Sequence, residues 1–399
     1  MKRKLNILAG DTALWVIFFL ISGISLIAVY SSIGLSAISE MLSSPSAVFF
    51  RHLVIVLATY VAIIILSHIN YRYFSKVSKW LFYISIGLLI LVLFIGTERW
   101  IRLPGGLSFQ PSEIAKIALM VYLARTIVRN RETLDVKQTF FMLLLPVAVI
   151  CLLIVPENLS TAIIIFMACY ITLFFGGVNK QLWWKGMAII LGVAVVGFIV
   201  LYLMGDKMDF ARSSTWSHRL QAWMHPNPAE LTQENMARMA VARGGFWGSG
   251  IGTTIHGRLM TQAHNDFIYA IIIEEAGLLS AIGIFLLYAL FYFRCIRIAT
   301  RCQGTFGSLS VAGIGTVIFL QALVHMSVSV GLLPVTGQTL PFISYGGTAY
   351  LFLGLGIGVI QSVAADNKKQ ARLAQKAEAE GLKDGQPQNN DENEKPIEQ

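Results

Sequence analysis

Five ionisable side chains interrupt stretches of this sequence that are otherwise apolar: Glu113, Lys116, Asp266, Glu274 and Glu275. Such groups are costly in apolar surroundings and are candidates for function wherever they occur. Glu113 and Lys116 lie three residues apart behind Gln110-Pro111-Ser112, so they share a face at the start of a helix. They could form a structural ion pair, or Lys116 could present its charge to an anionic ligand. Asp266 follows His264-Asn265. Its carboxylate could cap the helix that begins there, or it could take a proton from a hydroxyl nucleophile. Glu274 is about 80° around a helix from Asp266, whereas Glu275 is about 180° away. Only Glu274 can share a cavity with Asp266. Glu275 should face another segment and bind a Ser, a Lys or a backbone group.

Other polar residues gather near these. Pro156-Glu157-Asn158-Leu159-Ser160-Thr161 opens one apolar run, and His325 lies toward the end of a later one. The turn that follows, 331–347, holds Gln338, Pro341, Ser344, Gly346 and Gly347. Arg212, Arg219 and Arg243 supply cations in the longest polar stretch. The glycines of 244–252 lack the spacing and the Lys of a phosphate loop, and read as backbone flexibility or close packing. Cys151, Cys169, Cys295 and Cys302 show no zinc-type pairing. They read as small apolar filler, so neither a disulfide nor a metal site is expected.

The elements that must position these residues are membrane helices. The 399 residues are 55% hydrophobic and only 13% charged, about half the usual charge of a soluble domain. A helix needs roughly 20 mostly apolar residues to cross the hydrocarbon. Ten such runs occur, at 13–30, 50–69, 80–96, 111–128, 139–155, 159–176, 186–204, 266–293, 309–331 and 346–364. The fold expected is all-α and integral to the membrane: a ten-span domain over 13–365, with one long extracytoplasmic loop at 205–265. Residues 1–12 form a short N-terminus without a clear cleavage site, so the first run should remain as a span. The tail 366–399 is rich in Lys, Glu, Gln, Asn and Asp, lacks aromatics, and should be disordered.

Most of the 31 basic residues fall at 2–4, 72–79, 125–137, 180–185, 294–301 and after 366, in every second loop. Positive loops stay inside, so both termini should be cytoplasmic and 205–265 outside. The net charge of +9 is therefore a topology signal, and it argues against nucleic-acid binding. On this topology every polar group named above belongs to the outer half, with Glu274 and Glu275 a partial exception. A cavity open to the outside cannot use cytosolic nucleotide sugars or ATP. Its activated substrate must arrive on lipid.

Four strings carry a resemblance: QPSEIAKIALMVYLA, ARGGFWGSGIG, AHNDFIYAIIIEEAGLL and GLLPVTGQTLPFISYGGTA. In order and in placement they resemble the signature segments of the SEDS family (shape, elongation, division and sporulation), over about residues 11–365. In GQTLPFISYGG a Thr precedes Leu-Pro, which resembles the division branch, FtsW; the elongation branch, RodA, commonly has Pro there. RLQAWMHPNPAELTQENMARMAVARGG also resembles the division branch. Two departures stand out. PENLSTA stands where the elongation branch usually has a Gln-Pro-Asp type motif, which supports the division branch and leaves the role of Glu157 open, and His264-Asn265 replaces the more usual His-Thr.

The resemblance implies a peptidoglycan glycosyltransferase that polymerises lipid II at the outer face of the bacterial inner membrane, at the septum for the division branch. Asp266 matches the family's essential aspartate and would act as general base in an inverting transfer. Glu113, Lys116, Arg212, Arg219, Arg243, His264 and Ser344 would meet substrate, the cations its pyrophosphate. Glu274, Glu275, Pro341, Gly346 and Gly347 would support them. No cofactor is certain, although a divalent cation, Mg or Mn, could bridge Asp266 and pyrophosphate. The implied partners are lipid II, the nascent glycan strand, a class B penicillin-binding transpeptidase of the FtsI type and other divisome membrane proteins. Three readings compete with this one: a lipid II flippase, which should line a polar path across both leaflets, a RodA-type elongation polymerase, and a scaffold that would need no Asp266.

Overall fold

The computed structural model describes residues 8–32, 45–95, 101–103, 107–204, 213–227, 230, 232–260 and 263–384. Ten long helices occupy the ten expected runs: α1 (Thr12–Ser32), α2 (Pro45–His68), α3 (Arg72–Ile95), α4 (Pro111–Arg129), α5 (Lys137–Ile154), α6 (Leu159–Phe175), α7 (Lys180–Met204), α12 (Ile268–Thr300), α13 (Thr305–Ser329) and α14 (Thr348–Asp384). Between α7 and α12 lie four shorter helices, α8 (Ser213–Met224), α9 (Gln233–Gly244), α10 (His256–Leu259) and α11 (Ala263–Asp266). A small antiparallel hairpin, β1 (Ile101–Leu103) with β2 (Leu107–Phe109), pairs Ile101 with Phe109 ahead of α4. Eight of the long helices are apolar and long enough to cross a membrane on their own. The other two are α6, at 17 residues, and α4, whose start carries Glu113 and Lys116. The chain is a multi-pass membrane protein with an all-α membrane domain.

Helices are the natural solution here because each satisfies its own backbone in lipid. With no hydrophobic drive between them, close packing needs small residues. Gly354 and Gly358 on α14 meet Thr59 and Leu66 on α2 so closely that a Cβ at either glycine would overlap them. The most enclosed helices are α4, α13 and α14, and α13 and α14 each bury 72% of their apolar window. By contrast, α7 buries none of its window. At the end bearing the basic loops, Asp11 ties three helices together. Its Oδ1 caps Leu14 N at 2.9 Å, its Oδ2 meets Arg294 of α12 at 2.5 Å, and its backbone exchanges bonds with Gln361 of α14.

Two expectations are corrected. The tail was expected to be disordered from 366, but α14 runs unbroken to Asp384. The stretch 367–379 is rich in Ala, Lys, Gln, Arg and Leu, all good helix formers, and extending an existing helix needs no new nucleus. Residues 385–399 lie outside the described residues. The second correction concerns α12. Its 33 residues would span about 50 Å, far more than the hydrocarbon needs. The helix is interrupted at Gly277 (φ 75°, ψ −179°). From Gly277 to the basic Arg294 is roughly 26 Å, which already fills most of the bilayer. Ile268–Ala276 is therefore a separate stub at the end opposite the basic loops, the outer end of the expected topology. Glu274 and Glu275 belong to that end and cease to be the exception.

Candidate active site

Asp266 is the last residue of α11 and is partly exposed. Phe267, buried, takes the cap position of α12, so Asp266 is not the plain cap of the long helix. The turn 331–347 reaches this point through Ser344. Its hydroxyl accepts from Leu340 N at 2.8 Å and donates to Asn265 O at 2.8 Å, one residue from Asp266. The turn is pinned from three other sides. Tyr288 of α12 donates to Pro341 O, Ser25 of α1 donates to Ile343 O at 3.0 Å, and Gln321 of α13 donates to Thr339 O at 3.0 Å. Phe342 is held at φ 63°, an uncommon conformation for a bulky residue, with its ring buried against Phe18 and Tyr350. Gly346 O accepts from Ala349 N, and Gly347, just before α14, sits at φ 48°. A turn fixed at this many points can hold a neighbouring residue in one place.

Glu113 and Lys116 form the expected pair at 2.8 Å, both buried. Lys116 also donates to Gln321 Oε1 at 2.6 Å, so its charge joins α4 to α13 and, through Gln321, to the turn. One turn further along α13, His325 Nδ1 donates to Gln338 O at 2.7 Å, and Gln338 donates to Thr161 of α6 at 2.5 Å. The pair is the base of a buried polar chain under the turn.

Glu274 is fully buried and gathers the loop between α7 and α12 onto the stub. It accepts from Arg243 Nη1 at 2.7 Å, His256 Nδ1 at 2.9 Å, Ile255 N at 3.1 Å and Thr254 Oγ1 at 2.5 Å. Glu275 accepts instead from Ser31 at the end of α1, the kind of partner its position on the helix predicts. The glycine stretch lies against the interruption. A Cβ at Gly244 or Gly248 would overlap the carbonyls of Ile273 or Glu275. Close packing accounts for these two, and a positive φ for Gly245, Gly250 and Gly252.

The other expected site residues are dispersed. Arg219 of α8 donates to Val335 O at 3.3 Å, in the same turn that holds Ser344. Arg243 is engaged with Glu274 and with Thr253 O. His264 lies in α11, two residues before Asp266, and Arg212 lies outside the described residues. Among the described residues, no group of three His, Cys, Asp or Glu side chains gathers as a metal cage. Gln321, Thr254, His256 and Tyr288 were not singled out from the sequence. Gln321 left a signal, since it sits four residues before His325 on one helix face. The others left none.

The arrangement resembles known proteins in sequence and in shape. A protein named probable peptidoglycan glycosyltransferase FtsW from Trichlorobacter lovleyi is 29% identical over 383 residues, 92% of this chain and 96% of the relative. The peptidoglycan glycosyltransferase MrdB of Escherichia coli is 30% identical, over 77% of this chain and 83% of that one. A chain from a peptidoglycan synthase complex that coordinates polymerization and crosslinking superposes with a TM-score of 0.71 at 22% identity, covering 90% of this chain and 99% of that one. The rod shape determining protein RodA of Thermus thermophilus gives a TM-score of 0.63, also at 22% identity, with 90% and 98% covered. The sequence pattern of the FtsW/RodA/SpoVE group of cell cycle proteins matches residues 11–369. This chain belongs to that family.

Proposed function

We propose that the protein polymerises lipid II into glycan strands at the outer face of the cytoplasmic membrane, with Asp266 as the general base. In this reaction the hydroxyl oxygen of the acceptor sugar bonds to the anomeric carbon of the donor. The bond from that carbon to the pyrophosphate oxygen breaks, and the hydroxyl proton passes to Asp266. Direct attack inverts the anomeric centre. The observation that carries the assignment is the bond from Ser344 to Asn265, which fixes the segment bearing Asp266 against the turn 331–347. Arg219, tied to the same turn, is the first choice to offset the leaving pyrophosphate. Lys116 is buried with two partners and contributes from below, by holding the turn through Gln321. A divalent cation, Mg or Mn, would be held by Asp266 and would offset the charge of the leaving pyrophosphate.

The flippase reading needs polar groups through both leaflets. The interruption at Gly277 puts Glu274 and Glu275, the partial exception, at the end opposite the basic loops with the other polar groups, which supports the polymerase reading over a path through both leaflets. We assign the chain to septal synthesis in division on the resemblance of its turn and loop to the FtsW branch. Its partner would be an FtsI-like class B transpeptidase that cross-links the strands beside it, among other divisome membrane proteins.

The test is incubation of purified protein with lipid II, with and without a transpeptidase partner, followed by a gel for polymer. Asp266→Asn keeps size and an acceptor oxygen, and should fold normally yet lose about 10²-fold or more in rate. Near-normal polymerisation by this variant would remove Asp266 from its role. Loss of lipid II translocation, with no polymerase activity in the wild type, would favour a flippase.

A further inference from the structure

We infer that Glu274 is a positioning residue for Asp266: by fixing the outer loop to the stub, it makes that loop a second support, beside the membrane spans, for the catalytic segment. The inference builds on the assignment of Asp266 as the base.

In an unbroken helix the amide of Leu278 would donate to Glu274 O, and the carbonyl of Glu275 would accept from Leu279. The interruption at Gly277 frees these groups, and the loop takes them. Leu278 N donates to Gly245 O at 2.9 Å, Ser249 N to Glu274 O at 2.9 Å, and Gly250 N to Glu275 O at 2.9 Å. Ser249 Oγ adds a second bond to Glu274 O at 2.8 Å. Gly277 has no alternative as a residue, because a Cβ there would overlap Phe246 O and Gly248 N, and its φ of +75° disfavours any side chain. The backbone groups freed at Gly277 are thus satisfied by the loop.

Side chains divide between two cores: Ile268, Tyr269, Ile272 and Ile273 of the stub pack into the main core, whereas Ala270 and Ile271, with Phe267, pack with Ala237 and Ala240 of α9 and with Met260 in a small second core. The Glu274 carboxylate closes this unit by drawing in Arg243 from the end of α9 and Thr254, Ile255 and His256 from the start of α10. A fully buried carboxylate that collects donors from two loop elements fixes their separation. Asp266, two residues before the stub, inherits its orientation from them. Without the carboxylate, Arg243 and His256 lose their shared anchor and the loop can shift on the stub. A small displacement of a reacting group is enough to slow a transfer.

The experiment measures initial rates of lipid II consumption by the purified full-length protein in lipid nanodiscs. The variants are Glu274→Gln, Thr254→Val, Arg243→Ala and the double variant Arg243→Ala/Glu274→Gln, with Asp266→Asn as control. Glu274→Gln should lower kcat about 10-fold while KM stays within about twofold. Thr254→Val, which removes one donor, should lower kcat by about threefold, and the double variant should be less impaired than the product of its singles. A purely structural role would reduce the folded fraction and leave kcat per folded molecule unchanged, which would overturn the inference. An increase in KM alone for Arg243→Ala, additive with Glu274→Gln, would also overturn it and make Arg243 a substrate ligand. Should Glu274→Gln fail to fold, Thr254→Val and Arg243→Ala decide the matter by the same split. An active Asp266→Asn would end the base assignment whatever the Glu274 variants do.

Discussion

Two buried carboxylates in this protein hold a cation, and they do so in opposite ways. Glu113 meets Lys116 one turn along the same helix, both nearly inaccessible to water, and the ammonium reaches one further partner, Gln321. Glu274 meets Arg243 across 31 residues of chain, with the arginine side chain 32% exposed and three further loop residues on the same carboxylate. The first site depends on a single counter-charge, because each ion would be isolated in a dry interior without the other. The second is redundant, because a carboxylate with several donors keeps most of them when one is removed. A bundle interior can rely on one bond that never opens, whereas a loop exposed to water needs several.

Removing the cation should separate the two sites by the largest effect. Lys116→Ala leaves Glu113 buried and unpaired, a loss of about 3–5 kcal/mol, while Glu113→Leu with Lys116→Met should recover most of it. Arg243→Ala should cost less, about 1.5–3 kcal/mol, since Glu274 retains Thr254, Ile255 and His256. Thermal melting in detergent reads both, and a larger fall for Arg243→Ala than for Lys116→Ala would break the comparison. Ser344→Ala should follow at about 1 kcal/mol, since it releases the turn from Asn265. Its polymerisation rate should fall although no charge has changed, and an unaltered rate would mean that the turn does not orient Asp266.

The smallest effect concerns pH. Burial pushes the carboxyl of Glu234, on α9, above its ordinary range, while Arg238, Arg219 and His218 pull it back. The folded protein thus holds this proton more tightly than the unfolded chain does. The stabilisation is complete below the ordinary carboxylate pKa and is lost as pH rises through the raised one. The melting temperature of Glu234→Gln should lack that slight increase on acidification, and identical curves for variant and wild type would remove Glu234 from the account.

The same contrast explains what could be read in the sequence. Glu113 and Lys116 were legible because three residues on a helix mean one face, and nothing distant is needed to bring them together. Glu275 was legible for the same reason, as its rotation away from Asp266 left it to a residue such as Ser31. The apolar runs gave the ten helices, because lipid leaves few other solutions. The gathering of Arg243, Thr254 and His256 on Glu274 was not legible, since an irregular loop has no period to read. Nor was the interruption of α12, because Ile271-Ile272-Ile273 before it and Leu278-Leu279 after it are equally apolar. Only the excess length of the helix points to it. The continuation of α14 past 365 was hidden by composition, as Ala, Lys and Gln serve a solvated helix and a disordered tail alike.

The docking of the loop at Gly277 also has a consequence in time. The amides of Ser249, Gly250 and Leu278 donate to backbone carbonyls where two segments that are distant in sequence meet. Exchange of their hydrogens with deuterated water requires the loop to lift away from the stub, whereas the amides of a solvated loop exchange through local fluctuation. These three positions should therefore stay protonated as long as the enclosed helices do. The protein then has a slow-exchanging region outside the membrane, whose lifetime reports how often the segment carrying Asp266 loses this second support.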